Sequence, residues 1–178
     1  HSDLRRQRQM CIRDRGWPGG VRVDQAAQHG NDEAYQFPMP NLKGRPLDFS
    51  FSGLKTAVRY GVLGLPGTTI REPESLSEQE RADAAASIQK AAVRSLIRGL
   101  RRARQEHPDV QSLLIGGGVS ANSRLRKELK SFAEKEGLVL RIPPMQWCVD
   151  NAAMVAGLGW IRLQEEGPAS LSLAASPR

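Results

Sequence analysis

The alternation of apolar and polar positions is most regular between residues 77 and 106. Apolar side chains recur there at i, i+4 spacing, at Ala84, Ile88, Ala92, Leu96, Leu100 and Ala103. This spacing places them on one face of a helix. Ser77 and Glu80 have the spacing of a capping box, in which each side chain bonds the other residue's backbone N–H. We predict a helix that ends near Glu106 and is buried along this stripe.

Two short apolar runs further along the chain predict strands. They are "VQSLLIGG" (110–117) and "LVLRIP" (138–143), and "NSRLRKELKSFAEKEG" separates them with a helical apolar face and a C-terminal stop at Gly137. "AAMVAGLGWIRLQEEG" predicts a final helix. Strands that alternate with helices indicate the α/β fold class, with parallel strands and flanking helices.

The first third of the chain predicts two helices and one strand. "GWPGGVRVDQAAQHGN" indicates a Pro-Gly-Gly turn followed by a short helix that closes near Gly30. Residues 31–48 are rich in Pro, Gly and Asn and predict irregular structure. Phe49 and Phe51 alternate with serines, so we predict a short strand that turns into a helix near Leu54.

The net charge of +7 invites a polyanionic partner, but it is unevenly distributed. Residues 1–15 hold five arginines and two aspartates, which is +3 of the total, and they lack helical or strand periodicity. We predict that residues 1–15 are either non-native sequence or a disordered basic segment, with a nucleic-acid-binding arm as the alternative.

A second basic cluster lies at the end of the predicted long helix. It consists of Arg98, Arg101, Arg102 and Arg104. Cations suit the negative end of the helix dipole, so a solvated helix end is one interpretation and an RNA-binding patch is the other.

The remaining composition indicates a soluble protein of the cytoplasm. Cys11 and Cys148 are distant in sequence and belong to no C-x-x-C or Cys/His cluster, so neither a disulfide framework nor a cysteine-built zinc site is predicted. No run reaches the roughly 18 apolar residues of a spanning helix, so we predict no membrane association.

The strand-to-helix turn at Gly116–Gly118 carries the clearest chemical signal. Glycines there leave backbone N–H groups accessible beside the positive end of a helix, which is an anion-binding arrangement. A relaxed G-x-G-x-x-A pattern ends at Ala121, but "RIPP" follows the next strand where a dinucleotide site needs an acid, and no P-loop motif is present. The alternative is a turn that only allows tight packing. The Asn122 amide can cap the helix or bond a ligand.

Four motifs then carry a family resemblance. In this order and spacing, "PGGVRVD", "DFSFSGLKTA", "IGGGVSANSRLR" and "CVDNAAMVA" resemble the transferases that form threonylcarbamoyladenosine in tRNA, called TsaD in bacteria. The resemblance runs from Gly16 to the C-terminus. It implies that residues 16–178 form the second, C-terminal lobe of an actin-like ATPase (ASKHA) fold.

The resemblance also implies a reaction. The family transfers the threonylcarbamoyl group from threonylcarbamoyl-AMP to N6 of the adenosine next to the anticodon, in tRNAs that read codons beginning with A. The implied partners are tRNA, a paralogous partner subunit and a small ATPase.

The family's site residues fall on four positions of this sequence. The substrate-binding positions are Gly20, Asp24 and Asn122, and the metal-binding position is Asp150 in "CVDNAAM". The implied cofactor is one divalent ion, which is iron with zinc or magnesium as alternatives. By its position Asp150 can instead cap the last helix. No catalytic residue is identified.

The chain departs from the family pattern in one large respect. The family's first lobe, with its H-x-x-x-H pair of metal ligands, has no counterpart here, because the chain's histidines are His1, His29 and His107. We therefore expect a fragment with little activity alone. Two further hypotheses stay open: a basic nucleic-acid-binding module without chemistry, and an actin-like small-molecule kinase.

Overall fold

The computed structural model describes residues 19–39, 47–170 and 172. The predicted basic segment 1–15 lies outside these residues. The described part holds these helices and strands: α1 Gly19–Ala27, α2 Ser52–Leu63, α3 Glu78–Glu106, β1 Ser112–Leu114, α4 Ser123–Glu136, β2 Val139–Arg141 and α5 Ala152–Glu166. Three 3-10 turns connect them at Pro73–Ser75, Gly118–Ala121 and Met145–Trp147.

The strands and α4 confirm the predicted α/β unit. β1 and β2 are parallel, with Leu113 opposite Leu140, and α4 is the crossover between them. One face of α4 forms the core with α3, at Leu125, Leu129, Phe132, Val93 and Ile97. Gly137 ends α4 in the left-handed conformation, at φ 67°. Burial of these side chains stabilises the packing of α4 against α3 and so positions the start of α4.

Helix α3 begins as predicted but buries a different face. The capping box is present, since Glu80 N donates to Ser77 Oγ at 3.1 Å and Ser77 N donates to Glu80 Oε2 at 2.8 Å. The predicted stripe is only half-buried. The buried positions include Ala82, Ala86, Gln89, Lys90, Val93 and Ile97. The stripe prediction holds only in part. Leu96 and Leu100 pack against the core, but α3 also contacts α1 and α2 and buries two polar side chains against carboxylates.

The predicted strand at Phe49 and Phe51 is also wrong. Residues 48–51 form neither strand nor helix, and α2 begins at Ser52. The two aromatic rings stack with centroids 6.4 Å apart. The Phe49 ring also covers Gly99 of α3, where an added Cβ would lie 2.4 Å from the ring. Packing against α3 therefore determines the conformation of this segment, and the alternation of apolar and polar residues does not.

Helix α5 confirms the prediction of a final helix but has no buried residue. Its exposed apolar side chains are Met154, Val155, Leu158, Trp160, Ile161 and Leu163. Asn151 caps it, because Met154 N donates to Asn151 Oδ1 at 2.9 Å. Across the residues that the structure describes, no helix combines the length and the apolar character needed to cross a membrane.

The start of α3 predicts a pH dependence of stability. Hydrogen bonds from Arg71, and then from Ser77, lower the pKa of Glu80 from 4.5 to about 2. A carboxylate whose pKa falls on folding stabilises the protein above pH 4.5, and this contribution is lost as the pH falls toward 2. We expect the difference in Tm between the wild type and Glu80→Gln to be largest at neutral pH and to shrink across this range.

Thermal unfolding followed by circular dichroism at several pH values measures that difference. Glu78→Gln is the matched control, because Glu78 lies in the same first turn of α3. A Glu80→Gln difference that stays constant between pH 7 and pH 2 would contradict the assignment.

Candidate functional site

Two of the three predicted substrate-binding residues meet where α1 crosses the start of α4. Asn122 Nδ2 donates to Asp24 Oδ1 at 3.1 Å. Ser123 Oγ donates to the same oxygen at 2.8 Å, and Ser123 N lies 3.2 Å from both carboxylate oxygens. Gln89 Nε2, from α3, donates to Asp24 Oδ1 at 2.6 Å. Three helices therefore converge on one carboxylate.

Asn122 caps α4 and also contacts Asp24. Its Oδ1 accepts from Leu125 N at 2.9 Å, so it caps α4. Its NH₂ group carries two hydrogens, and Asp24 takes one of them. Capping therefore leaves Asn122 with a donor for a ligand.

The predicted anion site at the helix start is changed by this arrangement. The sequence suggested that the glycines open the helix directly, but Gly118 begins a 3-10 turn, Gly118–Ala121, that precedes α4. The Asp24 carboxylate accepts from the first amide of α4, at Ser123, and so neutralises the positive end of the helix. A phosphate at that amide would meet a negative charge, so an anion has to bind at the glycine turn itself.

The glycine turn is exposed and free of obstruction. Gly117 has φ 83° and ψ 168°, a conformation that is open only to glycine. Among the described residues, chain neighbours apart, no atom lies within 4 Å of an ideal Cβ built at Gly116, Gly117 or Gly118. A ligand can therefore approach the backbone of this turn closely.

Gly20 lies on the same helix as Asp24. The predicted Pro-Gly-Gly turn is wrong at this residue, because α1 already includes Gly19 and Gly20. Gly20 precedes Asp24 by four residues, so the two share one face of α1. No atom of the part of the chain that the structure describes, chain neighbours apart, lies within 4 Å of a Cβ built at Gly20.

An ion cluster fixes the loop after α1 beside this site. Asp32 accepts from Lys90 Nζ at 3.0 Å and from Arg124 NH1 at 2.7 Å, and Lys90 also pairs with Glu33. The hydrogen bond from Arg124, followed by the one from Lys90, lowers the pKa of Asp32. Lys90 and Arg124 directly follow Gln89 and Ser123, which bind Asp24. The two clusters thus join α1 and its loop to the same points of α3 and α4.

Asp150 is exposed in the loop before α5 and does not cap the helix, since Asn151 does. The described residues contain no group of three or more His, Cys, Asp or Glu side chains that could hold a metal. One carboxylate is a suitable ligand for a divalent ion but does not make a site. The described part of the chain therefore does not form a metal centre by itself.

Arg126 connects the glycine turn to the loop that carries Asp150. Its Nε donates to Ser120 O at 2.7 Å, and its NH2 lies 2.6 Å from Pro143 O and 3.1 Å from Cys148 Sγ. Cys148 is buried, as is Ser120. Arg126 therefore links the 3-10 turn that follows the glycines to the loop before Asp150.

Sequence reasoning missed Gln89, Ser123 and Arg126. Gln89 and Arg126 lie in helices whose polar positions read as solvent-facing. Ser123 and Arg126 lie within the motif "IGGGVSANSRLR", but neither was assigned a role from it. A polar residue beside an apolar stripe was the one available signal for Gln89.

The arginine cluster on α3 has a structural role at Arg104. Its NH1 donates to His107 O at 3.3 Å and to Val110 O at 3.0 Å, and it also bonds Pro108 O. Its Nε lies 3.9 Å from Glu136 Oε2. Arg104 therefore ties the end of α3 to the loop that leads to β1, which agrees with the interpretation of a helix end.

Comparison with known proteins gives one consistent family. The family model TsaD, described as tRNA N6-adenosine threonylcarbamoyltransferase, matches residues 11–157. Three relatives carry the same description. The protein of Rhodopirellula baltica is 41% identical over 169 residues, which cover 90% of this chain and 47% of the relative. The protein of Rhizobium meliloti is 44% identical (91% and 44% covered), and that of Thermosipho melanesiensis is 37% identical (91% and 46% covered).

The chain therefore spans about half the length of the curated relatives that it matches. The matched region contains α1, the glycine turn and Asp150, so the site described above lies within it. The family model covers well over half of the chain, and the chain belongs to the TsaD family of tRNA N6-adenosine threonylcarbamoyltransferases.

Proposed function

We propose that this chain forms the donor-binding half of an enzyme that transfers a threonylcarbamoyl group from threonylcarbamoyl-AMP to N6 of an adenosine in tRNA. The convergence of Asp24, Asn122 and the start of α4 carries the proposal, together with family membership. In this arrangement the adenylate end of the donor lies along the glycine turn, and the carboxylate of Asp24 accepts from the ribose hydroxyls.

The contacts of Asp24 support that role for its second oxygen. Gln89, Asn122 and the Ser123 hydroxyl all donate to Oδ1. Among the described residues, Oδ2 accepts only from Ser123 N, at 3.2 Å. Oδ2 therefore has fewer protein donors than Oδ1 and has capacity for a ribose hydroxyl. The second hydrogen of Asn122 Nδ2 adds a donor beside it.

The chemistry explains why a holding site matters. In the transfer, N6 of adenosine bonds the carbamoyl carbon, the bond from that carbon to the phosphate oxygen breaks, N6 loses a proton, and AMP leaves. An aromatic amine is a weak nucleophile, so fixing the mixed anhydride beside it lowers the entropic part of the barrier. The open glycine turn offers backbone donors to the phosphate whose charge grows as AMP leaves.

The proposal assigns one metal ligand to the described part of the chain. Asp150 supplies one carboxylate to a divalent ion, for which iron, zinc and magnesium are the candidates. Since the described residues do not form a metal centre, the other ligands have to come from elsewhere in the complete enzyme. Arg126 would keep the loop of Asp150 in register with the glycine turn.

The remaining assignments follow from the family. We propose that residues 16–178 are the second lobe of an actin-like ATPase fold, to which the parallel β1–β2 pair and its crossover α4 conform. We also propose that the enzyme works in the cytoplasm on tRNA with a paralogous subunit and a small ATPase. A small-molecule kinase and a binding module without chemistry lose support, because the family match covers the site and Arg104 is engaged locally.

Titration with AMP tests the donor site on the chain itself. We expect AMP to shift the backbone NMR signals of Gly20, Asp24, Gly117 and Asn122 and to leave those of the exposed Lys130 unchanged. The 2′-deoxy form of AMP should bind more weakly, because it lacks the hydroxyl that would donate a hydrogen bond to the carboxylate of Asp24. Shifts confined to the arginines of α3, or equal binding of both nucleotides, would contradict the proposal.

A further inference from the structure

The orientation of Asp24 depends on a residue that lies outside the motif of the site. Gln89 is on α3, 65 positions along the chain from Asp24, and it is 9% exposed to solvent. Its Nε2 is 2.6 Å from Asp24 Oδ1, the shortest of the contacts to that carboxylate. A buried amide needs a partner, and this one finds it in a carboxylate that the ligand also needs.

We propose that Gln89 is a positioning residue that holds Asp24 Oδ1 so that Oδ2 faces the ribose of the bound nucleotide. The proposal rests on the proposed function, because it assumes that Asp24 binds the donor. It adds a residue that neither the motif nor the family resemblance singled out.

The geometry explains why Gln89 differs from the other two donors. Asn122 and Ser123 both belong to the start of α4, so together they tie Asp24 to a single helix. Gln89 comes from α3 and approaches from a second direction. A carboxylate that is held from two directions cannot rotate about its Cβ–Cγ bond without breaking a charge-assisted hydrogen bond.

The neighbours of Gln89 keep its own position constant. Lys90 is 7% exposed and pairs with Asp32 and Glu33, and Val93 belongs to the core cluster. The contacts of Lys90 and Val93 therefore fix the backbone of α3 at Gln89. A donor on a rigid element sets the carboxylate angle more accurately than a donor on a loop.

Gln89→Met tests the proposal, since methionine keeps the length and burial of glutamine and removes the donor. We expect the Kd of AMP to rise about tenfold, because an Asp24 carboxylate that is free to rotate has to be ordered when the nucleotide binds. Gln79→Met is the matched control. It removes a bond of the same kind on the same helix, from Gln79 Nε2 to Asp83 Oδ1 at 2.7 Å, and should leave the Kd unchanged.

Amide exchange separates positioning from a general loosening of α4. Ser123 N donates to Asp24, whereas Leu125 N donates to Asn122. We expect Gln89→Met to speed the exchange of the Ser123 amide about tenfold and to leave that of Leu125 unchanged. Equal acceleration at both amides, or an unchanged Kd for AMP, would overturn the proposal.

Two further variants keep the outcomes separate. If Asp24→Ala binds AMP as the wild type does, the donor site itself is wrong, whatever Gln89→Met does to the exchange of Ser123. If Asp24→Ala loses AMP and Gln89→Met does not, only the positioning role fails. Gln89→Glu serves in place of methionine if that variant does not fold, and it should raise the Kd at least as far, because two carboxylates then face each other.

Discussion

Replacing Asp24 by alanine is expected to reduce the affinity of the chain for AMP about a hundredfold and to lower the free energy of unfolding by about 2 kcal/mol. The affinity falls because the acceptor for the ribose hydroxyls is lost. The stability falls because the buried amide of Gln89 and the Ser123 N–H at the start of α4 lose their partner. Calorimetric titration with AMP and urea unfolding measure the two effects.

Asp24→Asn separates the two effects. Asparagine keeps an oxygen for Gln89 and Ser123 but removes the charge, so we expect most of the stability to remain while the affinity for AMP falls about tenfold. Asp109→Ala is the matched control, because Asp109 is an exposed aspartate in the loop after α3. An Asp24→Ala variant that loses stability but binds AMP normally would make Asp24 a structural cap of α4 and nothing more.

The regular parts of the fold could be predicted because local pattern and tertiary packing agree there. The capping box at Ser77 and Glu80 and the left-handed Gly137 depend on contacts within one helix, and the core face of α4 follows the helical spacing of its apolar residues. Such contacts leave a periodic trace in the sequence.

The buried face of α3 could not be predicted from periodicity. Gln89 and Lys90 are buried because carboxylates of α1 and its loop reach them from more than 50 positions away in the chain. Polar residues in a helix read as solvent-facing until their partners are known. The Phe49 ring similarly packs where Gly99 has no side chain, and the alternation of apolar and polar residues near Phe49 cannot show this contact.

The candidate site was predicted in part. Resemblance to the family indicated Gly20, Asp24 and Asn122, and the structure brings Asp24 and Asn122 into contact and leaves Gly20 on the same helix face as Asp24. Their roles as ligands for a nucleotide stay predictions, as does the role of Asp150. What the sequence could not show is that Asp24 also neutralises the start of α4, because this depends on how α1 packs across α4.

A chimera tests whether the proposed site supports the transfer reaction. In it, residues 16–178 replace the matching part of the Rhodopirellula baltica relative, which is 41% identical and of which this chain covers 47%. The relative supplies the half that this chain does not span. We expect the chimera to be active, since the Asp24–Asn122–Gln89 contacts and the ion cluster at Asp32 lie entirely within the transferred part.

Threonylcarbamoyladenosine in the tRNA of a bacterial strain depleted of its own enzyme is the direct measurement, made by mass spectrometry of digested tRNA. The chimera should restore the modified nucleoside, and the chimera with Asp24→Ala should not, while Asp109→Ala should restore it fully. A soluble chimera that leaves the tRNA unmodified where the intact relative restores it, or one that is equally active without Asp24, would contradict the account.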